Sequence, residues 1–373
     1  MIVNSRKSED FQLPSSNLKH KQVKIKIKEY SLKQWSIRIA GMLVLFFLVW
    51  NRDVVIYAFQ QAKGQLEIIR NAKPISEILE NPEIEPEIKE KLRLIAEIRQ
   101  FAIDSLGLND SDNYTSFYDQ KNKPLLWLLK ACPPFELTPY KWKFPIVGTF
   151  SYKGFFREKE ALKEQEKLQK LNYDTRIANI GAWSTLGFLP DPILSGMLKR
   201  SEGNLAELII HELTHATIFV KSQMTYNENL ASFVGEEGAK LFLQHKYGKE
   251  SAEFFDYINQ EYDYALFYQH IFHGVEQLRE LYAGFEKQQS VLEKKQLKQK
   301  KINEIITALD TIDFKKKGRF DKLIAKRESL NNAWFIGFLI YRDKLSAFRK
   351  EFEEKCNKSM KKFIQLHKNK HGF

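Results

Sequence analysis

Two histidines four residues apart, His211 and His215, with Glu212 beside the first and Asn227-Glu228 twelve residues beyond the second, restrict what this chain can fold into. On a helix, residues four apart share a face about one turn apart, so both imidazoles can aim at one ion only if this stretch is helical. A hydrolytic zinc takes three protein ligands and leaves its fourth position to water. The third donor must arrive from elsewhere, and Glu228 is the candidate because it opens a second helix-forming stretch that runs to Leu243. The expectation is therefore two helices joined by about eight residues and folded back on each other. His211, His215 and Glu228 would hold one Zn2+, with Glu212 beside it as general base. The alternative is an ordinary helix with two histidines four apart by chance, and the downstream Asn-Glu-x-x-Ala spacing weighs against it.

The surroundings favour a helix. Asn204, followed three residues later by Glu207, resembles a capping box, after which Leu205, Leu208, Ile209, Leu213 and Ala216 recur at helical spacing. Groups that orient the imidazoles are expected from Ser232, Glu236 or Glu237, although an ordinary solvated face is the better reading for Glu237.

Net charge is +12, but its distribution matters more than its total. The first 38 residues carry nine Lys or Arg against three acidic groups. Directly after them Ile39–Trp50 runs twelve residues without a charge. A full membrane span needs about 20 residues, so the run must borrow from Trp35–Arg38 upstream and Val54–Phe59 downstream. An anchor over residues 35–59 is the expectation, with residues 1–34 as a basic cytoplasmic tail and the rest outside, at the inner membrane. A cleaved signal or a buried helix are the rivals; Ile56 occupies a position where a cleavage site near Ala58 would need a small residue. Residues 287–327 are also basic, thirteen cations against five acids, but helical spacing continues through Leu292, Ile305, Leu309 and Leu323. That pattern reads as a solvated helical hairpin and not as a nucleic-acid arm. Cys132 and Cys356 fit neither a zinc knuckle nor a redox pair and read as packing residues.

The fold class expected is α+β, predominantly helical: residues 60–140 a helical scaffold, 141–190 a small sheet, 204–246 the metal helices and 247–373 a helical C-terminal part. Within the second part, Phe144–Tyr152 and Tyr173–Ile180 carry strand formers on either side of a charged helix from Glu158 to Leu171. The stretch Ala182, Trp183, Ser184 and Thr185 then offers an edge to which an extended peptide substrate could add as a further strand. The alternative is a turn rich in small residues.

Short motifs in fixed order extend this picture: Gly64-Gln-Leu-Glu-Ile68, Phe144-Pro-Ile-Val-Gly148, Tyr152-Lys-Gly-Phe155, Ser184-Thr-Leu-Gly187, Asp191-Pro192, His211 to His215, Asn227-Glu228, Leu230-Ala231, Phe233-Val-Gly235, and Asn331-Asn-Ala333 with Tyr341. Together they make the chain after residue 60 resemble the predicted zinc aminopeptidases of bacteria. Thr149 stands where many relatives carry Cys. The resemblance implies a zincin-like, gluzincin core with a small sheet ahead of the metal helix, a frequent N-terminal membrane link, His211, His215 and Glu228 as ligands, and Glu212 as base.

The reaction expected is hydrolysis of a peptide or protein substrate. A donor for the oxyanion is needed, and Tyr341 is favoured over Tyr268, Tyr226 and His273, although a core tyrosine is the commoner reading. Aminopeptidase action also requires a carboxylate for the substrate's free amine, and residues 181–187 contain none. A zinc endopeptidase therefore stays open. So does a non-catalytic, membrane-anchored binding protein, for which Glu212 would have no physical use.

Overall fold

A computed structural model of the protein describes residues 32–144, 148–180, 190–221, 223–339 and 345–373, and the chain divides into two units, residues 1–55 and 56–373. In the first unit, α1 (Leu32–Trp50) exposes its apolar side chains, with Leu43 at 63% and Trp50 at 77%. Such exposure is costly in water. Among the described residues no single helix is long and apolar enough to cross a membrane; α1 passes by length and composition only together with α2 (Arg52–Asn71).

Prolines punctuate the start of the second unit. Lys73-Pro74 forms β1, α3 (Ile75–Glu80) follows, and α4 (Pro86–Phe101) places Pro86 in its first turn, where no backbone donor is needed. The apolar spacing Leu92, Ile95, Ile98 buries one face of α4 completely. The helical expectation ends sooner than residue 140, because β2 (Ser116–Tyr118) and β3 (Leu126–Cys132) follow. The next elements are β4 (Trp142–Phe144), β5 (Gly148–Phe150), β6 (Lys153–Phe155), α5 (Glu158–Lys170), β7 (Asp174–Ile180) and β8 (Ile193–Leu194). These strands form three small sheets among the described residues: β1-β2-β8, β6-β3-β7 and the β4-β5 pair. β3 pairs antiparallel with β7 from Leu126↔Ile180 to Cys132↔Asp174. Helix α5 covers this sheet through Ala161 and Leu168, packed with Leu129, Ala131 and Phe155.

The remainder is helical: α6 (Glu202–Thr217), α7 (Met224–Tyr247), α8 (Ala252–Ala283), α9 (Val291–Thr307), short α10 (Asp321–Ile324) and α11 (Asn332–Phe335), then α12 (Leu345–Glu354) and α13 (Met360–His371). The largest core gathers α4, α6, α7, α12 and α13 around Ile209, Leu213, Phe233 and Phe363. A second joins α8, α9 and α11 through Ile271, Ile302 and Phe335. It is pinned to the sheet by Lys298, which donates to both carboxylate oxygens of Asp174 at 3.0 and 2.8 Å, while Asn332 N–H donates to Asp174 Oδ2 at 2.9 Å. The basic segment after Lys287 is thus a packed helix followed by short turns, with Lys298 itself buried. Cys132 and Cys356 are both free and buried.

Candidate metal centre

Helix α6 runs through the main core, with Leu205, Ala206, Ile209, Ile210 and Leu213 all at 0% exposure. A helix so enclosed has little freedom to move its histidines. Its start differs from the expected capping box: Ser201 holds the N-cap position without a side-chain bond, and Glu202 meets the positive end of the helix dipole. Asn204 instead bonds Gln260 of α8 at 3.1 Å, and Glu207 Oε2 accepts from Tyr257 of α8 at 3.0 Å. Tertiary partners have taken both residues away from local capping.

Helix α7 begins at Met224, so Glu228 lies in its second turn and the connection is tighter than eight residues. Asn227 explains the tightness. Its Oδ1 accepts from Val220 N–H and its Nδ2 donates to Val220 C=O, both at 2.9 Å, which imitates a backbone pair across the bend. Further along, Gly235 lets the two helices touch. A Cβ there would stand 2.9 Å from the Glu207 carbonyl oxygen and 3.2 Å from His211 Cβ. Only a residue without a side chain accepts that approach.

These constraints bring three donors together. His211 Nε2 and His215 Nε2 are 3.1 Å apart; Glu228 Oε2 is 3.7 Å from the first and Oε1 3.6 Å from the second. All lie within 4.8 Å of one another, and this is the one such group of three among the described residues. Ligand bonds of about 2.0–2.2 Å in tetrahedral array require donor separations of about 3.3–3.6 Å. The donor set, two imidazoles and a carboxylate, and its spacing both fit zinc. In the metal-free site the three groups also shift one another's protonation. Burial would raise the Glu228 carboxyl, but hydrogen bonds from His211 and His215 outweigh it and hold the group down at about 2. Burial would lower His211; Glu228, Glu212 and Glu207 outweigh that and raise it.

Glu212 shares a cavity of about 300 Å³ with His211, Arg200, Glu207, Glu261, Tyr264 and Tyr268, among others. Its Oε2 is buried with no hydrogen-bond partner among the described residues. An unpaired buried carboxylate oxygen is expensive unless something else meets it there.

Of the other expected site residues, Ala182, Trp183, Ser184, Thr185 and Tyr341 lie outside the described residues. Tyr268 lines the cavity, whereas the Tyr226 hydroxyl is engaged by His367 Nδ1 at 2.8 Å and His273 is exposed on α8. Glu237 does not face the ligands; Lys240 at 2.8 Å and Arg349 at 2.9 Å hold it. Glu236 is buried, and Ser232 makes no hydrogen bond among the described residues.

Two tyrosines were not foreseen. Tyr152, from the loop before β6, is raised by burial and then by the Glu228 charge. Tyr114 is 1% exposed, sits at φ +61°, donates its N–H to Asp191 C=O at 2.7 Å, and has an unpartnered hydroxyl raised by burial and then by Glu212. A left-handed conformation at a buried aromatic residue is strained and persists only where the surroundings impose it. Tyr152 lies in a motif already noted, but nothing in the local pattern at Tyr114 marks it.

Fold and site together define a helical protein with a three-donor candidate metal centre at the crossing of α6 and α7. The chain belongs to the family described as "Putative aminopeptidase", whose model matches residues 56–371. That membership supports a peptidase-like, hydrolytic function. No curated protein and no solved structure matches the chain.

Proposed function

We propose that the protein is a zinc-dependent metallopeptidase with a gluzincin-type site, held at a membrane by its N-terminal segment and acting on free amino termini. The observation that carries this reading is the convergence of His211, His215 and Glu228 at spacings suited to one tetrahedral ion, with the unpartnered Glu212 oxygen in the adjoining cavity. Zinc bound there supplies a Lewis acid and a water of lowered pKa. Glu212 takes a proton on Oε2 and returns it to the leaving amine. Glu228 remains ionised throughout the neutral range because both imidazoles favour its charged form. The enclosed α6 keeps the imidazoles oriented, so little reorganisation is needed when substrate arrives.

The membrane reading rests on the basic first 38 residues, the uncharged run Ile39–Trp50 and its exposed side chains. The aminopeptidase reading is favoured over endopeptidase by the family and by carboxylates at Glu207 and Glu261 in the cavity. The test is hydrolysis by the full-length chain of a free-amino peptide amide and its N-acetyl form, with Glu212→Gln alongside. Cleavage of the free form, lost in Glu212→Gln and on chelation, is expected. Equal rates on the two peptides exclude the aminopeptidase reading, and full activity in Glu212→Gln excludes the mechanism.

A further inference from the structure

We infer that Glu207, with Glu261 across the cavity, holds the protonated α-amino group of the peptide, close to the scissile bond. The inference rests on the peptidase reading for the identity of the ligand, and on the cavity itself for the rest.

An amine anchor for a short substrate end must stand close to the reacting carbon. In a peptide the α-amino nitrogen lies about 2.5 Å from the carbonyl carbon of its own residue. A charge-assisted hydrogen bond adds about 2.8 Å. The anchoring oxygen should therefore stand about 5 Å from the reacting carbon, and each additional residue would move it about 3.3 Å further away. Glu207 precedes His211 by four residues on α6, one turn earlier on the same face, and both line the cavity.

Glu207 is also built to wait for a donor. Its Oε2 accepts from Tyr257 at 3.0 Å, and its Oε1 accepts no hydrogen bond from the described residues. Tyr257 is itself 2% exposed and lies so close to α6 that a Cβ at Gly203 would meet its ring at 2.5 Å. The tyrosine thereby fixes the carboxylate's rotamer, and Gly203 admits the tyrosine. Glu261 comes from α8, and Tyr264 and Tyr268 complete the wall. Arg200, exposed, is the one Lys or Arg lining the cavity among the described residues, against the carboxylates Glu207 and Glu212. A positive ligand is therefore favoured over a carboxylate terminus. The volume, about 300 Å³, is at the lower end of small-ligand sites and suits a residue or two.

The test is calorimetric binding to the full-length Glu212→Gln protein, supplied with zinc, at pH 6.5. The probes are leucyl-leucinamide and its N-acetyl form. The free amine should bind at least about tenfold more tightly, as a charge-assisted bond implies, and the advantage should shrink as pH rises through about 8, where the amine loses its proton. Adding Glu207→Gln, which keeps the acceptor for Tyr257, should abolish the preference. Glu261→Gln should reduce it, and serves as the second variant should Glu207→Gln disturb folding. Equal binding of the two probes, no binding of either, or a preference undiminished in both variants would overturn the inference. A preserved amine preference in a wild-type chain that hydrolyses nothing would leave the anchor standing and remove the peptidase reading alone.

Discussion

Gly235→Ala isolates the contact that sets the ligand spacing. The added Cβ would stand 2.9 Å from the Glu207 carbonyl oxygen, 3.2 Å from His211 Cβ and 3.5 Å from His211 Cα. The nearest atoms belong to backbone or to the root of a side chain, so rotamer change cannot relieve the overlap. Restoring ordinary contact requires α6 and α7 to part by about half an ångström at this point. Two energies oppose each other. Overpacking costs about 1–3 kcal/mol, while alanine in a helix interior is favoured over glycine by about 1 kcal/mol. Net destabilisation of about 0–2 kcal/mol follows, a fall in Tm of a few degrees at most for a domain this size. The effect on the centre should be larger in proportion. His211 and His215 move together on α6, so their 3.1 Å separation survives, but both distances to Glu228 on α7, 3.7 and 3.6 Å, lengthen. Zinc affinity, measured by competition with a chromophoric chelator, should fall on the order of tenfold, as when groups supporting a metal ligand are disturbed. Wild-type affinity together with an unchanged or raised Tm would refute the argument that glycine is needed for this approach.

Asn227→Ala removes both bonds to Val220 from a position 1% exposed. Denaturant unfolding should report a loss of about 1–3 kcal/mol, and zinc affinity should weaken as the bend relaxes. Tyr114→Phe deletes a buried hydroxyl without a partner, so stability should stay level or rise by up to about 1 kcal/mol; a loss above about 1 kcal/mol would show that the hydroxyl is bonded in the folded protein. For the metal-free chain, the Glu228 carboxyl is depressed to about 2 from an unfolded value near 4.5. Its stabilisation, up to about 3 kcal/mol, is therefore present above pH 4.5 and lost as pH falls through 2. The raised His211 contributes in the opposite sense, present below its unfolded value of 6.5 and lost as pH rises through the folded value. Urea titrations across pH should show both arms, and Glu228→Gln should flatten them.

The pairing of α6 with α7 was readable because it rests on local periodicity and on a ligand count that chemistry imposes. The charged helix α5 and strand β7 were readable for the same local reasons, polarity at helical spacing in one and strand formers after a turn in the other. Strand β3 was not. Leu126–Cys132 is buried at the centre of its sheet and shows no clean alternation, so its pattern does not separate a short strand from a helix. Asn204 and Glu207 misled because a local capping signature was overridden by partners on α8, some fifty residues away in sequence. That same long-range contact hid the carboxylates of the cavity. No carboxylate occurs in residues 181–187, the expected substrate edge, and Glu207 and Glu261 line one cavity only because α8 packs against α6. Asn227 was visible as a motif residue, but its clamp on Val220 depends on a bend whose path local propensity does not define.

The central claim is that His211, His215 and Glu228 hold one zinc while Glu212 serves the reaction without holding it. Metal analysis of the purified full-length chain tests this most directly, in wild type, Glu212→Gln and Glu228→Ala. One zinc per chain is expected in the first two, and loss of tight binding in the third. Unchanged zinc affinity in Glu228→Ala, or loss of the metal in Glu212→Gln, would contradict it.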